Sequence, residues 1–311
     1  MTHAPHHYNL LVILGPTASG KTSLAIELAH QLNGEILSAD SRQVFRGMNL
    51  GSGKDLEEYG NIPYHLIDIV EPLSDYSVFH YQQDFFRCYQ HICQHHKLPI
   101  MVGGTGLYLD AIIQNYALKE VPINQLLRDE LQTLTLERLQ KKLLALKPDQ
   151  HNSTDLLVRP RVVRAIEIAM AEKEPTPAPD YPTIHPLILG IQWPRPELRA
   201  RITTRLKQRF DEGMINEVEQ LHQQGVSYER LEFFGLEYRF IARYLKGELN
   251  YNDMFQKLNS QIHQFAKRQD TWFRKMQRRG ETIHWLDAHD DLIEQAKQHI
   301  AHYSFECPVN L

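Results

Sequence analysis

The sequence predicts an α/β protein, a parallel sheet flanked by helices with a helical insertion domain, and three observations lead to this fold class. Short runs rich in apolar residues predict strands at 10–14, 35–39, 64–69, 98–102 and 187–191. The first run has no polar alternation, as expected of a strand that is buried on both faces. Amphipathic helical patterns at 77–95 and 196–224 follow two of these strands. Between the fourth and fifth strands, the sequence shows only helical periodicity.

A phosphate-binding loop follows the first predicted strand. Gly15-Pro16-Thr17-Ala18-Ser19-Gly20-Lys21-Thr22 matches G-x-x-x-x-G-K-[ST] at every fixed position. The glycines let successive N–H groups point at one anion at the start of a helix, and Lys21 adds a positive charge. The Thr22 hydroxyl is placed to hold Mg²⁺ against phosphate oxygens. The strand, loop and helix together favour a P-loop NTPase-like sheet over a glycine-rich turn without a ligand, although they do not name the reaction.

Composition excludes several classes of protein. No apolar run approaches the ~20 residues of a membrane span, and residues 1–9 lack a signal-peptide pattern, so we expect no membrane association. Three unpatterned cysteines (Cys88, Cys93 and Cys307) favour a reducing cytoplasm over a disulfide scaffold or a zinc site. The net charge of −4 means that any contact with nucleic acid must come from local basic patches.

The periodicity divides the chain into three segments. Residues 1–118 form the first part of the α/β core, residues 119–184 a helical insertion, and residues 185–311 the second part of the core with C-terminal helices. Leucines recur at helical spacing between 125 and 147, and five prolines between 172 and 186 predict an extended linker. The core resumes with the strand at 187–191.

Two further groups of polar residues follow predicted strands. Asp40 ends the second strand, and a carboxylate at this end of a parallel strand faces the ligand crevice. An N-cap of a following helix is an equally good interpretation of Asp40. Thr105 lies in a Gly-Gly-Thr-Gly sequence after the fourth strand, which is either a tight turn or a site.

Arginines form three candidate phosphate-binding faces. Arg161 and Arg164 lie on one face of the helix that Pro160 opens, and Arg201, Arg205 and Arg209 follow each other at i, i+4 spacing. Six cations surround two aromatic residues between 267 and 279, which is typical of nucleic-acid contacts. For each face, spacing alone leaves a solvated surface as the alternative.

Several segments together resemble the tRNA dimethylallyltransferase (tRNA isopentenyltransferase) family in its bacterial form, from about residue 10 to residue 287. The resemblance is carried by the phosphate-binding loop and by Asp-Ser-Arg-Gln-Val-Phe-Arg-Gly-Met, Gly-Gly-Thr-Gly-Leu-Tyr-Leu, Arg-Val-Val-Arg-Ala-Ile-Glu, Arg-Ile-x-x-Arg and Ala-Lys-Arg-Gln-x-Thr-Trp-Phe-Arg. The sequence departs from the family at Phe45, at Asn49, at Ser52-Gly53-Lys54 and most strongly at 233–238.

The resemblance implies a reaction and its partners. Such enzymes transfer a dimethylallyl group from dimethylallyl diphosphate to the exocyclic N6 amine of the adenosine 3′-adjacent to the anticodon. The implied partners are the tRNA anticodon stem-loop, dimethylallyl diphosphate and Mg²⁺. We expect a cytoplasmic protein that acts as a monomer.

The resemblance also assigns roles to residues. Asp40 would be the general base, Arg205 would neutralise the leaving diphosphate together with Lys21, Thr105 would lie beside the adenine, and Thr22 would hold the metal. The diphosphate-binding residues would be Gly15, Pro16, Thr17, Ala18, Ser19, Gly20, Lys21 and Thr22. The tRNA-binding residues would be Asp40, Ser41, Arg42, Gln43, Thr105, Arg128, Pro160, Arg161, Val162, Val163 and Arg164.

Three other functions compete with this interpretation. An adenylate isopentenyltransferase, which acts on free AMP, ADP or ATP, shares the core motifs but has no use for the basic patches. A P-loop kinase would consume ATP. A non-catalytic RNA-binding protein would not need the phosphate-binding loop, Asp40 and Arg205 together.

Overall fold

The computed structural model describes residues 6–148, 156, 159–171 and 180–307. Its strands are β1 (His6–Tyr8), β2 (Leu10–Leu14), β3 (Gly34–Ala39), β4 (Tyr64–His65), β5 (Leu98–Gly103), β6 (Pro186–Gln192), β7 (Ile283–Asp287) and β8 (Tyr303–Phe305). Six of them form a parallel sheet in the order β4-β3-β5-β2-β6-β7, while β1 and β8 pair separately. The predicted fold class is confirmed.

Helices cover both faces of this sheet. They are α1 (Lys21–Gln31), α2 (Val78–Gln94), α3 (Gly106–Ile113), α4 (Gln125–Gln132), α5 (Leu136–Leu146), α6 (Arg159–Ala171), α7 (Arg195–Asp211), α8 (Met214–Gln223), α9 (Tyr228–Phe234), α10 (Leu236–Leu245), α11 (Tyr251–Arg278) and α12 (Leu292–Ile300), with a 3₁₀ turn at Leu56–Tyr59. None of the helices over the described residues combines the length and the hydropathy that a membrane span requires.

The central strand β2 supplies side chains to two cores. Leu10, Val12 and Leu14 pack with α2 and α3 on one face, whereas Leu11 and Ile13 pack with α1 and α12 on the other. This alternation explains why the sequence of β2 is apolar at every position. A third core joins α7, α8, α9, α10 and α11.

The register brings three loops to one edge of the sheet. Leu14 and Ala39 both lie opposite Gly103 in the parallel ladders. Each of these residues ends its strand, so the segments that follow β2, β3 and β5 leave the sheet side by side. This edge is the place where open parallel sheets bind ligands.

Two predicted elements differ from the structure. The predicted strand 64–69 ends at His65, because Leu66 and Asp68 adopt positive φ angles of 66° and 54° that cannot continue a ladder. The predicted helix 196–224 is two helices, α7 and α8. The helical conformation is interrupted at Gly213, which has a φ of 99°. Glycine adopts such a positive φ at little energetic cost.

The expectation that the cysteines carry no disulfide is wrong. Cys93 at the end of α2 is bonded to Cys307, 214 residues further along the chain. Cys88 is a free thiol. Spacing alone could not pair these residues, because they are 214 positions apart in the sequence.

The chain divides into two compact units. One comprises residues 1–116 and 181–311, and the other comprises residues 117–180. The second unit, which we call the insertion, contains α4, α5 and α6 around a core of its own: Leu127, Leu131, Leu139, Leu143, Val162, Ile166 and Ala169. Most of the predicted proline-rich linker lies outside the described residues.

A buried carboxylate organises the insertion. The Glu167 side chain is only 1% exposed and accepts hydrogen bonds from Arg128 Nε (2.8 Å), Arg164 Nη1 (3.0 Å) and Asn124 N (3.1 Å). Burial raises the pKa of Glu167, but these hydrogen bonds outweigh burial and hold the pKa below its ordinary value. The ionised form is therefore the native one.

We expect Glu167→Ala to destabilise the insertion by about 2–4 kcal/mol, because two guanidinium groups lose their shared acceptor. The figure is below that for a fully buried pair, since each arginine side chain is about one-third exposed. Hydrogen exchange of α4, α5 and α6 measures this free energy of local opening.

Glu167→Gln is the matched control, because it keeps the shape and some hydrogen bonds, and it should lose less. In the native protein this contribution should be complete above the unfolded pKa of glutamate. It should be lost as the pH falls through the lowered native pKa. Equal exchange in Glu167→Ala and the parent protein would contradict the assignment.

Candidate active site at the carboxyl edge of the sheet

The phosphate-binding loop runs from the end of β2 to the start of α1. Ala18 and Gly20 adopt positive φ angles of 63° and 92°, and α1 begins immediately after Gly20. Lys21 folds back so that its Nζ lies 3.4 Å from the carbonyl oxygen of Pro16. The loop therefore has the curled backbone and the helix N-terminus that bind anions.

The Gln269 amide, on α11, bridges two loops of this edge. Its Oε1 accepts from Thr17 N (2.9 Å), and its Nε2 donates to the carbonyl oxygen of Gly104 (3.0 Å). Gln269 is only 6% exposed. A Cβ at Gly104 would lie 2.2 Å from Gln269 Nε2, so this glycine is needed for close approach.

The arginine stripe of α7 points into the site. Arg205 Nη2 donates to Thr17 Oγ1 (2.7 Å), and Arg201 Nε donates to the carbonyl oxygen of Ala18 (2.9 Å). Arg209 is buried and pairs with Asp55 at 3.3 Å. A purely solvated face is therefore the wrong interpretation of this stripe.

Like charges crowd together around the loop. Burial and then the nearby charge of Arg205, partly opposed by Asp40, lower the pKa of Lys21 to about 8. Burial, followed by the charge of Arg209, lowers the pKa of Arg205 to about 10. Lys21 and Arg205 thus share a site that an anion would stabilise.

Asp40 opens a turn rather than a helix. Its Oδ1 accepts from Arg42 N at 2.8 Å, two residues on, and no helix follows before the 3₁₀ turn at Leu56–Tyr59. The helix N-cap alternative is therefore wrong, and this is an Asx turn. Ser41 N donates to Thr105 Oγ1 (3.1 Å), so the segments after β3 and β5 are joined beside the phosphate-binding loop.

Two nearby polar residues brace the backbone. Buried Gln43 accepts from Ser38 Oγ (2.8 Å) and donates to the carbonyl oxygen of Gly53 (3.0 Å). Lys54 is also fully buried, and its Nζ donates to Phe45 O (2.6 Å) and to Asp68 Oδ1 (2.5 Å). The side-chain atoms of both residues are engaged within the protein.

The remaining predicted tRNA-binding residues lie in the insertion, and their surroundings differ. Pro160 and Arg161 are exposed, Val163 is half-buried, and Val162 is fully buried in the core of the insertion. Arg128 and Arg164 are held by Glu167. A role in binding tRNA remains a prediction for all six residues.

Sequence reasoning missed two residues that support the loop. Gln269 lies within the basic segment 267–279, where the sequence pattern points to the cations and not to the amide. Trp193, just after β6, donates from Nε1 to the carbonyl oxygen of Ser19 (2.9 Å), and Arg201 lies 4.3 Å from its ring. A lone tryptophan after a strand carries no local signal of such a contact.

Few protein side chains outside the phosphate-binding loop are placed to bind a metal ion. Over the residues that the structure describes, no three His, Cys, Asp or Glu side chains are grouped so that they could hold a metal ion. Thr22 lies in the first turn of α1. Mg²⁺ takes few protein ligands when phosphates and waters supply the rest, so this donor set fits that ion.

The parallel sheet, with its central strand running into a G-x-x-x-x-G-K-[ST] loop, defines a P-loop NTPase-like α/β protein. The family model described as IPP transferase matches residues 43–276, and the one described as isopentenyl transferase matches residues 8–60. The chain belongs to the IPP transferase family.

Similar curated proteins cover nearly the whole chain. A tRNA dimethylallyltransferase 1 of Geotalea uraniireducens is 60% identical over 93% of this chain and 96% of its own length. A tRNA dimethylallyltransferase 2 of Shewanella sediminis is 52% identical over 95% of this chain and 98% of its own.

Solved structures are similar over the same range. A tRNA isopentenylpyrophosphate transferase of Bacillus halodurans has a TM-score of 0.69 at 31% identity and covers 94% of both chains. A eukaryotic dimethylallyltransferase acting on tRNA has a TM-score of 0.75 at 21% identity, covering 98% of this chain and 81% of its own, which supports the fold alone.

Lys21 should make anion binding depend on pH. Because the anion binds the protonated amine and the pKa of Lys21 is about 8, the affinity for inorganic pyrophosphate should fall as the pH rises through 8. The measurement is calorimetric titration from pH 6 to 10 without divalent metal. Dividing the Kd of Lys21→Met by the wild-type Kd removes the effect of the titration of pyrophosphate itself. This ratio should fall towards one above pH 9, where the wild-type amine is also uncharged. The ratio of Lys21→Met to Lys21→Arg Kd should not change across this range, because a guanidinium stays protonated throughout it.

Gln269→Leu should weaken pyrophosphate binding roughly 30-fold, because Thr17 N and the Gly104 carbonyl lose their shared partner, at about 1 kcal/mol for each buried group. Gln269→Glu is the matched comparison: it can still accept from Thr17 N, but it faces the Gly104 carbonyl without a donor. Both variants should bind more weakly than a control at exposed Gln277. Unchanged affinity in Gln269→Leu would remove Gln269 from the site.

Proposed function

We propose that this protein transfers a dimethylallyl group from dimethylallyl diphosphate to the N6 amine of the adenosine 3′-adjacent to the anticodon in tRNA, releasing diphosphate. The observation that carries the proposal is the convergence of an anion-binding loop, a cationic cluster and the Asp40 carboxylate at one edge of the sheet. Membership of the IPP transferase family supports it.

The cationic cluster stabilises the leaving group. As the bond between C1 of the dimethylallyl group and the diphosphate oxygen breaks, negative charge develops on the diphosphate. The N–H groups of the loop, Lys21 and Arg205 lie at the loop where that charge would develop, so they would need little reorganisation in the transition state. The lowered pKa values of Lys21 and Arg205 show the electrostatic cost of this arrangement, which binding of the diphosphate repays.

Thr22 would hold Mg²⁺ together with oxygens of the diphosphate and water. When bound, the ion supplies further charge neutralisation to the diphosphate. Every other contribution to catalysis in this proposal comes from residues of the chain.

Asp40 is the proton acceptor. The adenine amine is a weak nucleophile because its lone pair is delocalised into the ring. Its nitrogen forms the new bond to carbon, and the Asp40 carboxylate takes one amine proton. The hydrogen bond from Arg42 N fixes one oxygen of Asp40 and leaves the other available.

The target base must leave its stack to reach this carboxylate. Thr105, bound to Ser41 N through its hydroxyl, lies beside the Asp40 turn, where the adenine would enter. The exposed Pro160 and Arg161 of the insertion, with the basic residues of α11, are the proposed contacts to the rest of the anticodon stem-loop. A cytoplasmic location and a monomeric state are part of the same proposal.

The adenylate isopentenyltransferase alternative uses the same core and differs in substrate. The relatives described above carry names that specify tRNA, and the basic face of α11 would have no role with a mononucleotide. A P-loop kinase is opposed by the family membership.

Nucleoside analysis tests the proposal. We expect N6-isopentenyladenosine in an anticodon stem-loop RNA incubated with the protein, Mg²⁺ and dimethylallyl diphosphate, and none from AMP in a parallel reaction. Asp40→Asn should lower kcat by about 10²–10⁴-fold, the usual contribution of a positioned base, while exposed Asp290→Asn should not. Prenylated AMP with unmodified RNA would instead favour the adenylate enzyme.

A further inference from the structure

An aromatic side chain is presented to solvent at the end of α9. Phe233 is 61% exposed, while its neighbour Phe234 is buried. Leu73, on the loop 72–75, is also largely exposed. Exposed apolar side chains of this size commonly mark a binding surface when they lie together beside a site.

The ring of Phe233 is held in place by a fixed arginine. The Arg230 guanidinium lies 5.0 Å from the ring centroid. All its nitrogens are engaged with the loop 72–75: Nε donates to Pro72 O (2.8 Å), Nη1 pairs with Asp75 (3.2 Å), and Nη2 donates to Ser74 O. We call Phe233 with Arg230 the aromatic platform. A ring supported in this way loses little conformational entropy when a ligand stacks on it.

The aromatic platform is linked to Asp40 by two side-chain contacts and one backbone hydrogen bond. The rings of Phe233 and Phe234 are 6.2 Å apart, and the Arg42 guanidinium lies 5.8 Å from the Phe234 ring. Arg42 N in turn donates to Asp40 Oδ1 (2.8 Å). The Asp40 turn and the aromatic platform are thus joined through one continuous set of contacts.

We propose that the aromatic platform stacks on the base of an RNA nucleotide adjacent to the modified adenosine. This inference rests on the proposed function and adds a binding site to it. Extruding the adenosine breaks its stacking with both neighbours, and an exposed ring replaces that interaction whatever the base, because every base has a π-face. The free face of Phe233 provides such a surface.

Local charge favours RNA over a protein partner. The aromatic platform contains one arginine. The Arg42 guanidinium lies against the neighbouring Phe234 ring, and exposed Arg239 follows shortly after Phe233 in the sequence. Of the nearby acids, Asp75 is paired with Arg230, Glu232 is paired with Arg243 and Lys246, and Glu229 is exposed. The cations of this region outnumber its acids. Cations flanking an aromatic ring are the usual composition of a single-stranded RNA contact.

The test compares substitutions that separate stacking from apolar area. The dissociation constant for a fluorescent anticodon stem-loop RNA should rise roughly fivefold to 150-fold in Phe233→Ala, the range for one stacked base. Phe233→Leu should show a similar loss, since it keeps apolar area but has no ring. Phe233→Trp should bind as tightly as the parent protein. Tyr251→Ala, which removes another half-exposed aromatic residue, is the control and should bind normally.

A double-mutant cycle with abasic RNA locates the contact. An abasic nucleotide on one side of the target adenosine should weaken binding to the parent protein, but it should cause no further loss in Phe233→Ala. If the loss of affinity from the abasic nucleotide and the loss from Phe233→Ala are additive at both flanking positions, the proposal is overturned. Equal binding by Phe233→Leu and the parent protein would also overturn it and would indicate an apolar protein contact.

The two proposals fail in different ways. If the parent protein binds the RNA but does not prenylate it, the proposed reaction is wrong, and the cycle still decides whether Phe233 stacks on a base. If prenylation occurs and the Michaelis constants for RNA of Phe233→Ala and the parent protein are equal, only the stacking inference is wrong. The Michaelis constant for dimethylallyl diphosphate should stay unchanged in each Phe233 variant.

Discussion

One buried amide, that of Gln269, connects three segments that lie far apart in the sequence. It accepts from the phosphate-binding loop and donates to the segment after β5, while its own backbone belongs to α11. An unpaired buried amide group costs about 1–3 kcal/mol. Moving any one of the three segments would break at least one of these hydrogen bonds, so the relative positions of the segments depend on each other. The distance between the phosphate-binding loop and Thr105 therefore depends on Gln269. Because Ser41 N is bonded to Thr105, the distance between the loop and neighbouring Asp40 depends on it as well.

The parts of the site that depend on local sequence could be predicted. The loop at Gly15–Thr22, the buried strand before it and the position of Asp40 at the end of β3 follow from patterns within a few residues, since strand burial and loop curvature are local properties. The carboxyl ends of parallel strands share an edge, so the proximity of Asp40 and Thr105 to the loop also followed. Gln269 could not be found in this way, because its partners are more than 160 residues away.

Spacing identified which arginines share a face but not where the face points. On α7 the i, i+4 stripe faces the phosphate-binding loop, and on α6 Arg164 instead turns to Glu167 within the insertion. The difference comes from a buried carboxylate three residues further along α6, which no periodicity distinguishes from a solvated one. The break at Gly213 and the short β4 are similar cases, since each depends on one residue with positive φ.

The bond between Cys93 and Cys307 also determines how the oxidised chain carries mechanical load. Force applied on either side of the enclosed loop passes through this covalent bond and bypasses residues 94–306. Only the segments outside this loop can then be drawn out. The enclosed part contains α7, α11 and the insertion, whereas β2 and the phosphate-binding loop remain in the loaded part. Under tension, the anion site would therefore come apart from its loop side, with the helices that support it still joined.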